Sequence, residues 1–105
     1  MRLLFVCSRA NRRSLTAERL FDGRVGSEAR SAGTENGARI KVTAGMIGRA
    51  DIIFCMEKKH LRRLREKYAE ELSGKRVVCL NIPDEFEYMD EQLCDILESC
   101  VPEYL

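Results

Sequence analysis

The residues best placed to do chemistry are a cysteine and an arginine separated by five residues, with a serine directly after: Cys7, then Ser8-Arg9-Ala10-Asn11-Arg12, then Arg13 and Ser14. A cysteine thiolate is a strong nucleophile. A guanidinium offers a fork of donors matched to phosphate oxygens, and the positive field of this loop favours the thiolate form. Together they describe a device for attacking phosphorus.

Such a device works only if the chain delivers both groups to one spot. Leu3-Leu4-Phe5-Val6 is an unbroken apolar run, which predicts a strand of a parallel sheet buried on both faces. After the polar loop, Leu15, Ala17, Leu20 and Phe21 recur at helical spacing, predicting a helix over about 14–22. A strand ending at Cys7, a short loop and a helix start aim backbone N–H groups and a helix N-terminus at one point, an arrangement suited to a bound anion. Cys7 is expected on the floor of that site and Arg13 on its rim, with residues Ser8, Arg9, Ala10, Asn11, Arg12 and Arg13 forming the cradle.

Cys7 to Ser14 resembles the Cys-x5-Arg-Ser signature of the low-molecular-weight protein tyrosine phosphatases, and its place after an N-terminal hydrophobic strand sharpens the match. Ser31-Ala32-Gly33-Thr34 matches a segment after the family's second strand, and Ala50-Asp51 before a hydrophobic strand ending in Met56 is again similar. The resemblance implies a phosphomonoester hydrolase, a protein tyrosine phosphatase, acting through a cysteinyl-phosphate intermediate. Its substrate would be a phosphotyrosine protein or a small phosphomonoester. It also implies that the Ser14 hydroxyl donates to the Cys7 sulfur; an ordinary helix cap is the alternative role for Ser14.

A leaving oxygen departs more easily when protonated, so such an enzyme wants a carboxylic acid opposite the thiolate. The family supplies it from an Asp-Pro-aromatic segment after the last strand. Here Pro83-Asp84-Glu85-Phe86 stands there: Asp84 matches the acid and Phe86 the aromatic of the cleft wall. Glu85 replaces the proline, and could itself be the acid.

Two further departures lie in the loop. The family's asparagine, third after the cysteine, bonds the serine matched by Ser31. Here that position is Ala10, which tolerates a positive φ poorly, so that either the loop shifts or Ser31 turns to Asn11 for loop support. Arg12 replaces a second loop cysteine, so no disulfide can form within the loop.

Further along, Asp22 to Gly26 reads as a turn and Glu28 to Thr34 as a short strand running into a loop. Thr43 could cap a short helix through Gly48. Ala50 to Met56 reads as a buried strand, and Glu57 to Leu72 as a helix with Leu61, Leu64, Tyr68 and Leu72 on its apolar stripe. Arg76 to Leu80 is the last strand, Asn81 to Tyr88 a loop, and Asp90 to Cys100 a terminal helix with Leu93, Ile96, Leu97 and Val101 inward. Strands alternating with helices predict an α/β fold, a four-stranded parallel sheet in order 2-1-3-4 flanked by helices, forming one domain over residues 1–105. Ligands of such sheets bind beyond the carboxyl ends of the strands, where both Cys7 and the loop after Leu80 fall.

At 105 residues with a net charge of +1, 45% hydrophobic and 33% charged, the composition fits a globular protein with a modest core. No apolar run is long enough to span a membrane, and the N-terminus carries no signal-peptide pattern. Five cysteines then suggest reduced thiols in a cytoplasm rather than a disulfide framework. With one histidine and no CxxC pair, no zinc site is expected, nor any cofactor. Lys58, Lys59, Arg62, Arg63, Arg65 and Lys67 could mark a nucleic-acid patch, but the interspersed leucines favour a solvated helix face. No nucleic-acid or membrane partner is expected, and His60 is read as a surface residue of that helix.

Two other functions suit the same framework. An arsenate reductase also uses a Cys-x5-Arg loop but needs two relay cysteines; Cys94 and Cys100, six apart on one helix, fall on different faces. A non-catalytic phosphate- or phosphopeptide-binding module would keep the cradle without the turnover.

Overall fold

A computed structural model describes residues 1–105. Four strands, β1 (Arg2–Cys7), β2 (Glu28–Gly33), β3 (Ile52–Cys55) and β4 (Arg76–Cys79), pair in parallel in the order β2-β1-β3-β4, as expected. They alternate with helices α1 (Arg13–Phe21), α2 (Ala44–Arg49), α3 (Lys58–Leu72) and α4 (Glu91–Cys100).

The period of two along each strand divides the interior into two layers. Leu3, Phe5, Cys7, Ile52, Phe54 and Met56 face α1 and α4, packing with Ala17, Phe21, Leu93, Leu97 and Val101. Phe5 stacks on Phe54 at 5.0 Å between ring centroids and on Phe21 at 5.9 Å. Leu4, Val6, Ile53 and Cys55 face the other way, with Ile47 of α2 and Leu64 of α3. β1 is thus covered on both sides, which is why it reads as an unbroken apolar run.

Thr43 caps α2 by accepting the Met46 N–H. On α3 only Leu64 of the expected stripe is fully buried; Leu61, Tyr68 and Leu72 are half-buried. The six basic residues of that helix are exposed. No helix is long and apolar enough to cross a membrane. Ile96, expected inward, is 36% exposed, because Leu93, Leu97 and Val101 already fill the contact with the sheet.

Candidate active site

β1 ends at Cys7 and α1 begins at Arg13, so loop 8–12 curls over the carboxyl edge of the sheet. β2 meets that edge at Gly33. A Cβ there would lie 2.6 Å from the Ser8 carbonyl oxygen and 2.7 Å from the Ala38 Cβ, so only glycine lets the loop pack down on the strand. Above it opens a cleft of about 390 Å³ lined by Cys7, Ser8, Arg9, Asn11, Arg12, Arg13, Glu35, Lys59 and Asp84.

Cys7 is buried at its floor. Its Sγ lies 2.9 Å from Ser14 Oγ and accepts the Ala10 N–H at 3.2 Å. Ser14 lies inside α1, and its hydroxyl is turned to the sulfur rather than to a cap. Arg13 is not on the rim but inside, 2% exposed. Its Nη1 donates to Glu57 Oε1 at 2.5 Å and to the Ile82 carbonyl at 2.8 Å. Both hydrogens of Nη1 are thereby engaged, leaving Nε and Nη2 as a side-on pair of donors. Asp84 approaches Nε to 3.8 Å with its side chain 55% exposed. Glu85 is exposed and stands outside the cleft. Rim ion pairs join Arg9 to Glu35 and Arg12 to Glu87.

Two further expectations are corrected. Phe86 does not wall the cleft; it is half-buried against the core layer of Phe5 and Phe54, where its ring escapes water. Ser31 does not bond Asn11, which is exposed on the cleft. Instead Ser31 Oγ donates to Glu18 at 2.9 Å and accepts from Arg39 Nη2 at 2.7 Å. Arg39 Nε also donates to the Ala10 carbonyl at 2.7 Å, and the Arg39 backbone N–H to the Arg9 carbonyl. Ala10 does take the left-handed conformation, φ 60°. That costs an alanine roughly 1 kcal/mol, which the charge-assisted bond from Arg39 offsets.

His60, expected on the surface, is 1% exposed, because the first turn of α3 abuts loop 8–12. Its Nδ1 accepts the Glu57 N–H and its Nε2 sits beside Ser8 Oγ. Sequence reasoning thus missed Glu57, His60 and Arg39. The three-residue spacing of Glu57 and His60 at a helix start is a capping-box pattern that could have flagged the first two; nothing in the sequence flags Arg39. No group of three or more His, Cys, Asp or Glu side chains converges as a metal would need.

Burial, and then the charge of Arg13, push His60 from 6.5 down to about 4. Between those values the unfolded chain binds a proton that the folded chain does not, so stability falls as pH drops through that window. The loss from this group is at most about 3 kcal/mol. Urea unfolding at pH 7, 5.5 and 4 should show it in the parent protein and show a flatter profile in His60→Phe. Parallel profiles would mean that His60 is not the cause.

No family model matches the sequence, and no curated protein does. Solved structures do match the fold. A low-molecular-weight protein tyrosine phosphatase from T. tengcongensis is 20% identical with a TM-score of 0.75, covering 100% of this chain and 99% of that one. The tyrosine phosphatase Wzb from Escherichia coli K30, in complex with phosphate, is 20% identical with a TM-score of 0.74, covering 93% and 91%. The YwlE arginine phosphatase from Geobacillus stearothermophilus is 20% identical with a TM-score of 0.72, covering 93% and 84%. A parallel sheet in the order 2-1-3-4, with a cysteine at the end of its first strand, thus gives this chain the fold of the low-molecular-weight protein tyrosine phosphatases.

Proposed function

We propose that the protein is a phosphomonoester hydrolase working through a cysteinyl-phosphate intermediate. The observation that carries this is the convergence of Cys7, Arg13 and Asp84 on one cleft. The phosphoryl group lies in loop 8–13, held by backbone N–H groups and by the free Nε and Nη2 of Arg13. The Cys7 thiolate attacks phosphorus, the P–O ester bond breaks, and Asp84 gives its proton to the leaving oxygen. Water then attacks the phosphoryl-cysteine, Asp84 takes a proton from it, and the S–P bond breaks. Ser14, 2.9 Å from the sulfur, donates to the thiolate at the start and again as it leaves.

The substrate is a protein phosphotyrosine or a small phosphomonoester. No aromatic ring lines the cleft, which favours leaving groups bound by charge and hydrogen bonds over ones held by stacking. An arsenate reductase relay is disfavoured, because neither Cys94 nor Cys100, both on α4, lines the cleft that holds Cys7.

Rapid mixing with p-nitrophenyl phosphate, acid quenching and peptide mass spectrometry test the proposal. A phosphoryl adduct on Cys7 and a burst of nitrophenol are expected. Tight phosphate binding without adduct or release would instead mark a phosphate-binding module.

A further inference from the structure

Beside the cleft, a buried histidine meets a half-buried serine. His60 is the single histidine of the chain. Its Nδ1 accepts the backbone N–H of Glu57 at 3.0 Å. An amide N–H can only donate, so Nδ1 must present its lone pair, and in the neutral ring the proton then sits on Nε2. Nε2 lies 3.0 Å from Ser8 Oγ. The ring therefore donates and the serine oxygen accepts. This leaves the serine hydroxyl hydrogen directed away from the ring, and the bond to His60 is the one side-chain hydrogen bond that Ser8 makes within the protein. Ser8 also lines the cleft together with Cys7 and Arg13.

We propose that the Ser8 hydroxyl donates a hydrogen bond to the bound phosphoryl group, its direction set by the Nε2–H of His60. The proposal rests on the phosphatase reading above and deepens it. Ser8 becomes a binding residue through its side chain, in addition to its place in the backbone cradle, and His60 a positioning residue. Without the imidazole, the hydroxyl is free to spend its proton elsewhere. With it, the ring occupies an acceptor position of the oxygen, and the proton stays available to a group bound in the cleft that Ser8 lines. A second protonation of the ring would set an N–H against the Glu57 N–H. Burial and the nearby Arg13 charge oppose that down to about pH 4, so the orientation persists through the mildly acidic range. Glu57 ties the two sides together: its backbone fixes the histidine tautomer and its carboxylate holds Arg13. The first turn of α3 thus braces both ends of the anion loop.

The test uses inorganic phosphate as a competitive inhibitor of p-nitrophenyl phosphate hydrolysis. Ser8→Ala should weaken phosphate about tenfold or more, as expected for a hydrogen bond to a charged group, and Ser8→Thr, which keeps a hydroxyl, should restore most of it. His60→Phe should also weaken phosphate, and the double variant should be no worse than Ser8→Ala alone. Long-range proton–nitrogen NMR of the single imidazole should show the neutral ring protonated on Nε2. An unchanged phosphate affinity in Ser8→Ala, additive losses in the double variant, or a proton on Nδ1 would each overturn the proposal. The NMR readout and the Ser8 variants do not depend on His60→Phe folding. Parent protein that neither hydrolyses the ester nor binds phosphate would overturn the phosphatase reading and this inference with it. Parent protein that does both, with Ser8→Ala indistinguishable from it, would overturn this inference alone.

Discussion

Cys7→Ser should leave a folded protein that still binds phosphate but has lost multiple turnover by about 10⁴-fold or more, the scale on which removing a covalent nucleophile acts. The substitution shortens the side chain by a fraction of an ångström and leaves an acceptor for the Ala10 N–H and for Ser14, so the loop keeps its shape. What it removes is the sulfur nucleophile; a serine hydroxyl is a far weaker one. Calorimetric titration with phosphate separates binding from turnover. Cys94→Ser and Cys100→Ser are the controls and should stay within about twofold of the parent, within the ordinary scatter of surface-proximal substitutions. Loss of turnover in either one, in a protein that remains folded, would return the redox relay to contention.

The second large effect belongs to Asp84. Asp84→Asn should slow hydrolysis of tyrosyl phosphate by about 10²–10⁴-fold and of p-nitrophenyl phosphate far less. A nitrophenolate departs without a proton, whereas a tyrosyl oxygen needs one. The structure separates Asp84 from its neighbour: Asp84 lines the cleft and lies 3.8 Å from Arg13 Nε, while Glu85 stands outside it. Glu85→Gln should therefore leave both substrates close to parent rates. A leaving-group-dependent loss in Glu85→Gln instead would move the acid by one residue. No loss in either variant would make the 81–88 loop structural and favour the binding module.

The nucleophile loop and the sheet were legible in the sequence because they rest on short-range signals. An apolar run, a polar loop of fixed length and helical spacing place Cys7 and Ser14 without any knowledge of what packs around them. Strand order followed from alternation of strands and helices. What escaped depends on contacts distant in sequence. The burial of His60 requires knowing that α3 starts against loop 8–12, 52 residues from Ser8. Arg13 reads as a rim residue until its Glu57 and Ile82 partners are in place. Phe86 offered two apolar destinations, the cleft and the core, and periodicity cannot choose between them in a loop. Arg39 sits in a stretch with neither strand nor helix spacing, so its reach to Ala10 and Ser31 had no local trace.

That reach makes two positions distant in sequence depend on each other. Within loop 8–12 no side chain bonds Ser31. With Ala10 at φ 60°, the support comes from outside the loop, through Arg39 to the Ala10 carbonyl and to Ser31. A change at one site is therefore expected to alter the cost of a change at the other. The same dependence governs grafting: transplanted alone into another scaffold, residues 7–14 would lack the strut that keeps them in shape, so the portable unit runs through residue 39.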